Sequence, residues 1–295
     1  MSLIFYNHFH NGDIFHAKEF VRDVADQLPN EKVVFMHNMD PSVVCDLENV
    51  EYRPMSPLLW DKAKNKSMHI EGDLCINTHI GAFFGMKLPF DYECTLRFNL
   101  RMWEFIYERL SSIYDKELIL STERDYYIPQ INFQRFQIGN IDTFVKTEKR
   151  EKILVCNGPV HSGQAPYDGD MKEFVQNWAQ KYPHLVFILT KMTDLEMENV
   201  CYTDQIIGIN GCDLNEIGYL STHCKMTIGR NSGPFCFATN RETVSNPNRC
   251  LLSFGKSKTD AFLLGILTGA EYVFCEDVNR MHYVNMEIER RLERI

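Results

Sequence analysis

Two short stretches of this chain carry residues whose types and spacing suit chemistry. The first is Asn11-Gly12-Asp13, behind an apolar run, Leu3-Ile4-Phe5-Tyr6, and a histidine-bearing loop, His8-Phe9-His10. Glycine lets the backbone turn tightly, and an acid just past such a turn projects into the crevice at the strand ends. It can equally cap the helix that begins at Ile14, so both readings stand open. The second stretch is Arg230-Asn231-Ser232-Gly233-Pro234. Pro234 suits a first helical turn, and Ser232 or Gly233 suits the cap. Exposed backbone N–H groups beside the fixed charge of Arg230 would then suit an anion, with a bare cap as the alternative.

These stretches need a frame to aim them, and the surrounding pattern supplies one twice. Ile14, Ala17, Val21, Val24, Ala25 and Leu28 recur at helical spacing, Pro29 stops them, and Val33-Val34-Phe35-Met36 follows as a strand. The same order returns at residue 153. Ile153-Leu154-Val155-Cys156 leads into a glycine-bearing loop from Asn157 to Gly169, a helix from about Met171 to Tyr182, and a strand at Leu185–Leu189. Strand–loop–helix–strand units build parallel sheets covered by helices, and two of them predict two α/β domains. In such sheets ligands bind beyond the carboxyl ends of the strands.

The first half adds expected strands at 50–52, 74–77 and 118–120, and a helix carrying Leu96, Leu100, Trp103, Ile106, Tyr107, Leu110 and Ile113. In the second half, Asp213-Leu214-Asn215-Glu216 reads as a capping box opening a helix. Strands are expected at 225–229 and 250–255. Met281, Val284, Ile288 and Leu292 predict a closing helix. The charged run Lys146–Lys152 has no apolar face and reads as a linker, so the domains are expected at 1–148 and 149–280.

Composition narrows the function classes. At 295 residues the chain is long for one doubly wound unit, and 44% hydrophobic with 24% charged residues is ordinary for a globular protein. Lys+Arg total 31 against 40 Asp+Glu, a net charge of −9. That charge argues against a nucleic-acid partner, yet allows a local basic pocket for one phosphorylated ligand. The apolar run 261–270 is about half of the ~20 residues a membrane helix needs, and no secretory leader is expected. Contact with a membrane surface stays open, and nothing in the pattern fixes an oligomeric state. Ten cysteines without a CxxC, several inside strand-like runs, suit thiols used as small hydrophobes in a reducing, cytoplasmic setting. His8, His10, His16 and His79 read as histidines on a wet wall, so no metal is expected.

Gly12-Asp13-Ile14 with His16 two positions on resembles the N-terminal signature of the heptosyltransferase-like glycosyltransferases. Asp213–Ile217, Met226–Gly229, Asn231-Ser232-Gly233 and Leu252–Gly255 resemble that family's donor half in order and spacing. Asn231-Ser232 stand where the family has Asp-Thr, and Phe235-Cys236 where it has a Ser-His pair. The resemblance implies a GT-B-like α/β architecture: two Rossmann-like domains with parallel sheets facing a cleft, and helix 281–295 packed back on the first domain. It implies inverting, metal-independent transfer of a sugar from a nucleotide-diphosphate-sugar, as co-substrate without further cofactor, to a glycan-type hydroxyl acceptor. Asp13 would be the base, with His10, Asn11, Gly12 and His16 on the acceptor-side loop. The donor would meet Asn157, Ser162, Gly163, Lys191, Asp213, Glu216, Arg230, Asn231, Ser232 and Gly233. Two alternatives accompany this reading: a polysaccharide pyruvyltransferase-like enzyme, and a catalytically degenerate nucleotide-binding module of the same fold.

Overall fold

A computed structural model describes residues 2–57, 66–79, 94–158, 171–276 and 281–295, the side chains of 124 and 125 excepted. The N-terminal strand–helix–strand unit is present as β1 (Ser2–Tyr6), α1 (Asn11–Gln27) and β2 (Lys32–Met36). β3 (Glu51–Arg53), β4 (Met68–Ile70) and β5 (Asp73–Asn77) complete a sheet ordered β3-β2-β1-β5-β4. All its pairs are parallel except the hairpin β4–β5. That hairpin turns through Glu71 and Gly72, both at positive φ. α2 (Thr95–Tyr114) covers the sheet beside α1: Phe20 stacks on Trp103 and on Tyr127, and Trp103 meets Phe5 of β1. Buried Asp23 on α1 accepts hydrogen bonds from Tyr107, from Tyr127 at 3.0 Å and from Tyr126 at 3.4 Å. A buried carboxylate needs such donors, and here they pin the segment after α2 to α1.

The expected strand at 118–120 is not formed. The side chain of Gln27 takes the place of a partner strand, since its Oε1 accepts the Ile119 N–H at 2.8 Å and its Nε2 donates to the Ile119 carbonyl at 2.9 Å. One side chain satisfies both backbone groups, so no ladder is needed.

The second sheet is wholly parallel. It comprises β6 (Glu151–Cys156), β7 (Leu185–Leu189), β8 (Val200–Tyr202), β9 (Met226–Arg230), β10 (Cys250–Gly255) and β11 (Glu271–Glu276), in the order β11-β10-β9-β6-β7-β8. Counted within the unit this is 3-2-1-4-5-6, the doubly wound dinucleotide-fold order, whose switch point lies between β6 and β9. Central strands such as Leu185-Val186-Phe187-Ile188-Leu189 are buried throughout, as expected where both faces are covered. The helices are α3 (Gly139–Thr147), α4 (Lys172–Lys181), α5 (Thr203–Ile207), α6 (Leu214–Ser221), α7 (Gly233–Ala238), α8 (Arg241–Ser245) and α9 (Met281–Leu292).

The chain divides into two units, Met1–Pro129 and Gln130–Ile295, not at the expected 148/149 boundary. α3 belongs to the second unit: Ile141 is buried, Asn140 Nδ2 donates to the Ile207 carbonyl at 2.9 Å, and Tyr219 donates to Asp142 Oδ1 at 2.7 Å. The charged run behind α3 is a knotted turn rather than a linker. Arg150 forks onto Glu148, and Lys152 Nζ donates to the Glu148 and Arg150 carbonyls. The last helix is a further correction. Val284, Ile288 and Leu292 of α9 lie in the core of the second unit with Val175 and Trp178 of α4. Asn285 accepts from Trp178 Nε1 at 2.8 Å, and Arg291 pairs with Glu271 of β11 at 2.7 Å. The apolar stripe of α9 is thus satisfied within its own unit instead of on the first domain.

Candidate active site

In the first unit β1 and β5 are neighbours, and the loops leaving their carboxyl ends form one cluster. Each strand is closed by an asparagine that turns the chain. Asn7 Oδ1 accepts the Phe9 N–H at 2.9 Å, and Asn77 Oδ1 accepts the His79 N–H at 2.7 Å. Asn7 Nδ2 then reaches across to Thr78 Oγ1 at 3.1 Å, tying one loop to the other. The rings of Phe9 and His79 stack between them. Asp13 stands in the first turn of α1, where its Oδ2 accepts the His10 N–H at 3.2 Å. Its Oδ1 lies 3.9 Å from His79 Nε2. Burial pushes the Asp13 carboxyl above the usual carboxylate range, against the opposing pull of the His10 N–H.

Asn11, Gly12 and Asp13 are therefore brought together at the start of α1, with His10 exposed just ahead of them. Asn11 Oδ1 is buried with no hydrogen-bond partner among the described residues. His16 sits on α1 at 4% exposure, and burial pushes its imidazole down to about 3, so its ring is neutral.

In the second unit, Arg230 is the last residue of β9 and not part of the following loop. Its guanidinium is 1% exposed, at the switch point, with Nη2 donating to the Gly158 carbonyl beyond β6 at 3.2 Å. Gly229 lets β9 approach β6 closely, because a Cβ there would meet Cys156 Cβ at 2.6 Å and Cys156 O at 3.0 Å. Ser232 and Gly233 open α7 as expected, and Ser232 Oγ is buried without a hydrogen-bond partner among the described residues.

No family model matches the sequence, and no curated protein is significantly similar to it. Solved structures do match. ADP-heptose LPS heptosyltransferase II of E. coli superposes with a TM-score of 0.58 at 12% identity, over 98% of this chain and 100% of that one. A family 9 glycosyl transferase of Veillonella parvula gives 0.56 at 9% identity, over 98% of this chain and 89% of that one. This chain has the heptosyltransferase fold.

Within that fold the other expected donor residues divide. Asn157 is bound up in structure: its Oδ1 accepts the Lys191 N–H at 2.8 Å and its Nδ2 donates to the Lys191 carbonyl at 2.9 Å. The Lys191 side chain is exposed. Asn231 is likewise engaged, donating to the Asp260 carbonyl at 2.6 Å and accepting from Cys236 Sγ at 3.2 Å. Asp213 sits at the N-cap of α6 but makes no side-chain cap bond, and Glu216 instead accepts the Gln137 N–H at 3.4 Å. The capping box is thus not formed, because segment 130–138 packs against α6 and offers Glu216 a donor. Burial pushes Asp213 up to about 6, assisted by Asp204 and Glu216, and burial raises Glu216 as well. Ser162 and Gly163 lie outside the described residues. The sequence reading passed over the strand-closing pair Asn7 and Asn77, although an asparagine straight after an apolar run is itself a turn signal.

Proposed function

We propose that this chain is a glycosyltransferase that moves a sugar from a nucleotide-diphosphate-sugar to a hydroxyl acceptor. The observation that carries the reading is the start of α1, where Asp13, a carboxyl raised by burial, holds the His10 N–H with one oxygen and turns the other toward the loop after β5. The acceptor hydroxyl donates to this carboxylate. As its oxygen forms a bond to C1 of the donor sugar, Asp13 takes the proton, and the C1–O bond to the diphosphate breaks with its electron pair leaving on the nucleotide. A single displacement of this kind inverts C1. A carboxyl held above the ordinary range is a stronger base, which is what a poorly acidic hydroxyl requires.

The diphosphate gains charge as it leaves and needs fixed positive groups. Arg230 and the Ser232-Gly233 turn at the β6–β9 switch point are assigned that role, which makes the reaction metal-independent. Lys191 adds a mobile cation. All ten cysteines are free thiols and no described helix is long and apolar enough to cross a membrane, which supports assigning the enzyme to the cytoplasm.

One observation favours a second reading, a nucleotide-binding module without turnover. Asn231, where the resembled family has an acid, has both ends of its amide engaged, one on the Asp260 carbonyl and the other on Cys236 Sγ. A thermal-shift screen against UDP-, GDP-, ADP-, CMP- and dTDP-sugars, followed by product analysis with the stabilising donor, separates the two. A ligand at 100 times its Kd adds about 2.7 kcal/mol of stability. Stabilisation with donor turnover supports transfer, stabilisation without it supports the module, and no stabilisation by any donor removes both.

A further inference from the structure

At the loop that leads into α1, the first unit holds a cavity of about 290 Å³ lined by His8, Asn38, Met55, Ser56 and Pro57. The chemistry assigned above uses none of these residues. They arrive from three adjacent strands, His8 following β1, Asn38 following β2, and Met55 to Pro57 following β3. The cavity thus opens at the carboxyl edge of the parallel strands, the edge at which α1 begins.

Its lining is mainly apolar, with the polar groups of His8, Asn38 and Ser56 set into it and no acidic or basic side chain apart from the imidazole. Asn38 Oδ1 accepts the Met55 N–H at 3.2 Å, which bridges the ends of β2 and β3 and leaves the amide nitrogen as a donor. Ser56 adds a hydroxyl. Burial lowers the His8 pKa, so its ring is neutral at physiological pH. Met55 and Pro57 supply an apolar wall. A pyranose presents the matching surface: an apolar C–H face and a rim of hydroxyls that both donate and accept. A carboxylate or phosphate would call for charge-assisted donors instead. The volume of about 290 Å³ stands at the floor of the ~300–1,000 Å³ that ligand pockets span, enough for one ring.

We propose that this cavity is the subsite for one uncharged sugar ring of the acceptor. Its place in a reaction rests on the transfer reading, but its occupancy can be measured without any donor. Saturation-transfer NMR on the full chain, with no nucleotide present, uses the methyl glycosides of glucose, galactose, mannose and N-acetylglucosamine as probes. Glucuronic acid and glucose 6-phosphate serve as the anionic comparison. At least one neutral glycoside should bind, with both anions at least about tenfold weaker, a difference of about 1.4 kcal/mol. Asn38→Asp keeps the acceptor for Met55 N–H but deletes the donor, and should weaken binding about fivefold, the worth of one hydrogen bond. Ser56→Phe should fill the cavity and abolish binding, with thermal melts reporting whether each variant folds.

No binding by any neutral glycoside, equal or stronger binding by an anion, or binding indifferent to Asn38→Asp or to a folded Ser56→Phe overturns the subsite. Glycoside binding in the expected pattern without stabilisation by any nucleotide-sugar removes the transfer reading and leaves the subsite standing. Donor turnover with no glycoside binding does the reverse.

Discussion

The Oδ1 atom of Asp13 lies 3.9 Å from His79 Nε2, while its Oδ2 accepts the His10 N–H at 3.2 Å. One oxygen therefore holds the helix start and the other is turned toward the loop after β5. Cap and base are not rival roles here, since each engages a different atom of the same carboxylate.

Asp13→Asn keeps a cap acceptor and removes the base. Turnover should fall by about 10²–10⁴ while the Tm stays near the parent's. Because burial raises the Asp13 pKa, the acidic limb of the parent's kcat/KM profile should fall above the ordinary carboxylate range. The Asn variant should lose that limb. Steady-state rates between pH 4 and 8 with a matched melting series decide it; full activity in the variant would end the base assignment.

Asp213 makes a prediction with a definite sign. Its folded pKa is about 6 against an ordinary 3.8, so the fold prefers the protonated form. Below pH 3.8 both states are protonated and there is no penalty. Between 3.8 and 6 the unfolded chain releases its proton first, and stability is lost as pH rises. Asp213→Asn should therefore raise the Tm at pH 7.5 and leave it unchanged at pH 3.5. Equal shifts at both pH values would contradict the burial account.

Arg230→Ala tests donor binding, and the buried position of the guanidinium adds a cost in stability. The variant leaves the Gly158 carbonyl without its donor and should cost about 1–3 kcal/mol of stability, as well as donor binding. Arg230→Lys keeps the charge without the planar fork, and should recover stability more than affinity. Chemical denaturation and donor titration on both variants separate the two effects.

Gly229→Ala places a methyl 2.6 Å from Cys156 Cβ, which overpacking of this kind makes costly by about 1–3 kcal/mol. Cys156→Gly in the same chain removes that clash but not the 3.0 Å approach to the Cys156 carbonyl, so rescue should be partial. A double-mutant cycle on unfolding free energies gives the coupling. Strict additivity would show that the close approach of β6 and β9 is not what fixes the glycine.

What could be read from the sequence follows from which signals are local. The period of α1, the unbroken apolar run of β7 and the mainly apolar run of β10 are written in adjacent residues, and their spans agree with the structure to within a few positions. Partners are not local. The stripe on α9 states that it must be covered, not that Trp178 and Glu271 cover it. Leu118-Ile119-Leu120 has strand composition, and only the distant Gln27 side chain makes a strand unnecessary. In the site, Gly12-Asp13 was legible because turn and acid are neighbours. The burial of His16 was not legible, because a motif records residue order whereas burial depends on what lies under α1. Nor were the internal partners of Asn157 and Asn231, because a polar side chain at a strand end reads the same whatever it bonds.

The seating of α9 bears on how the chain is made. Its apolar stripe closes the core of the unit in which it is encoded. The described strands of the first unit all precede Pro129, so on a ribosome they emerge before the second unit and need not wait for α9 to be translated. Folding can then proceed in the order of synthesis, with the nascent second unit growing behind an already closed sheet.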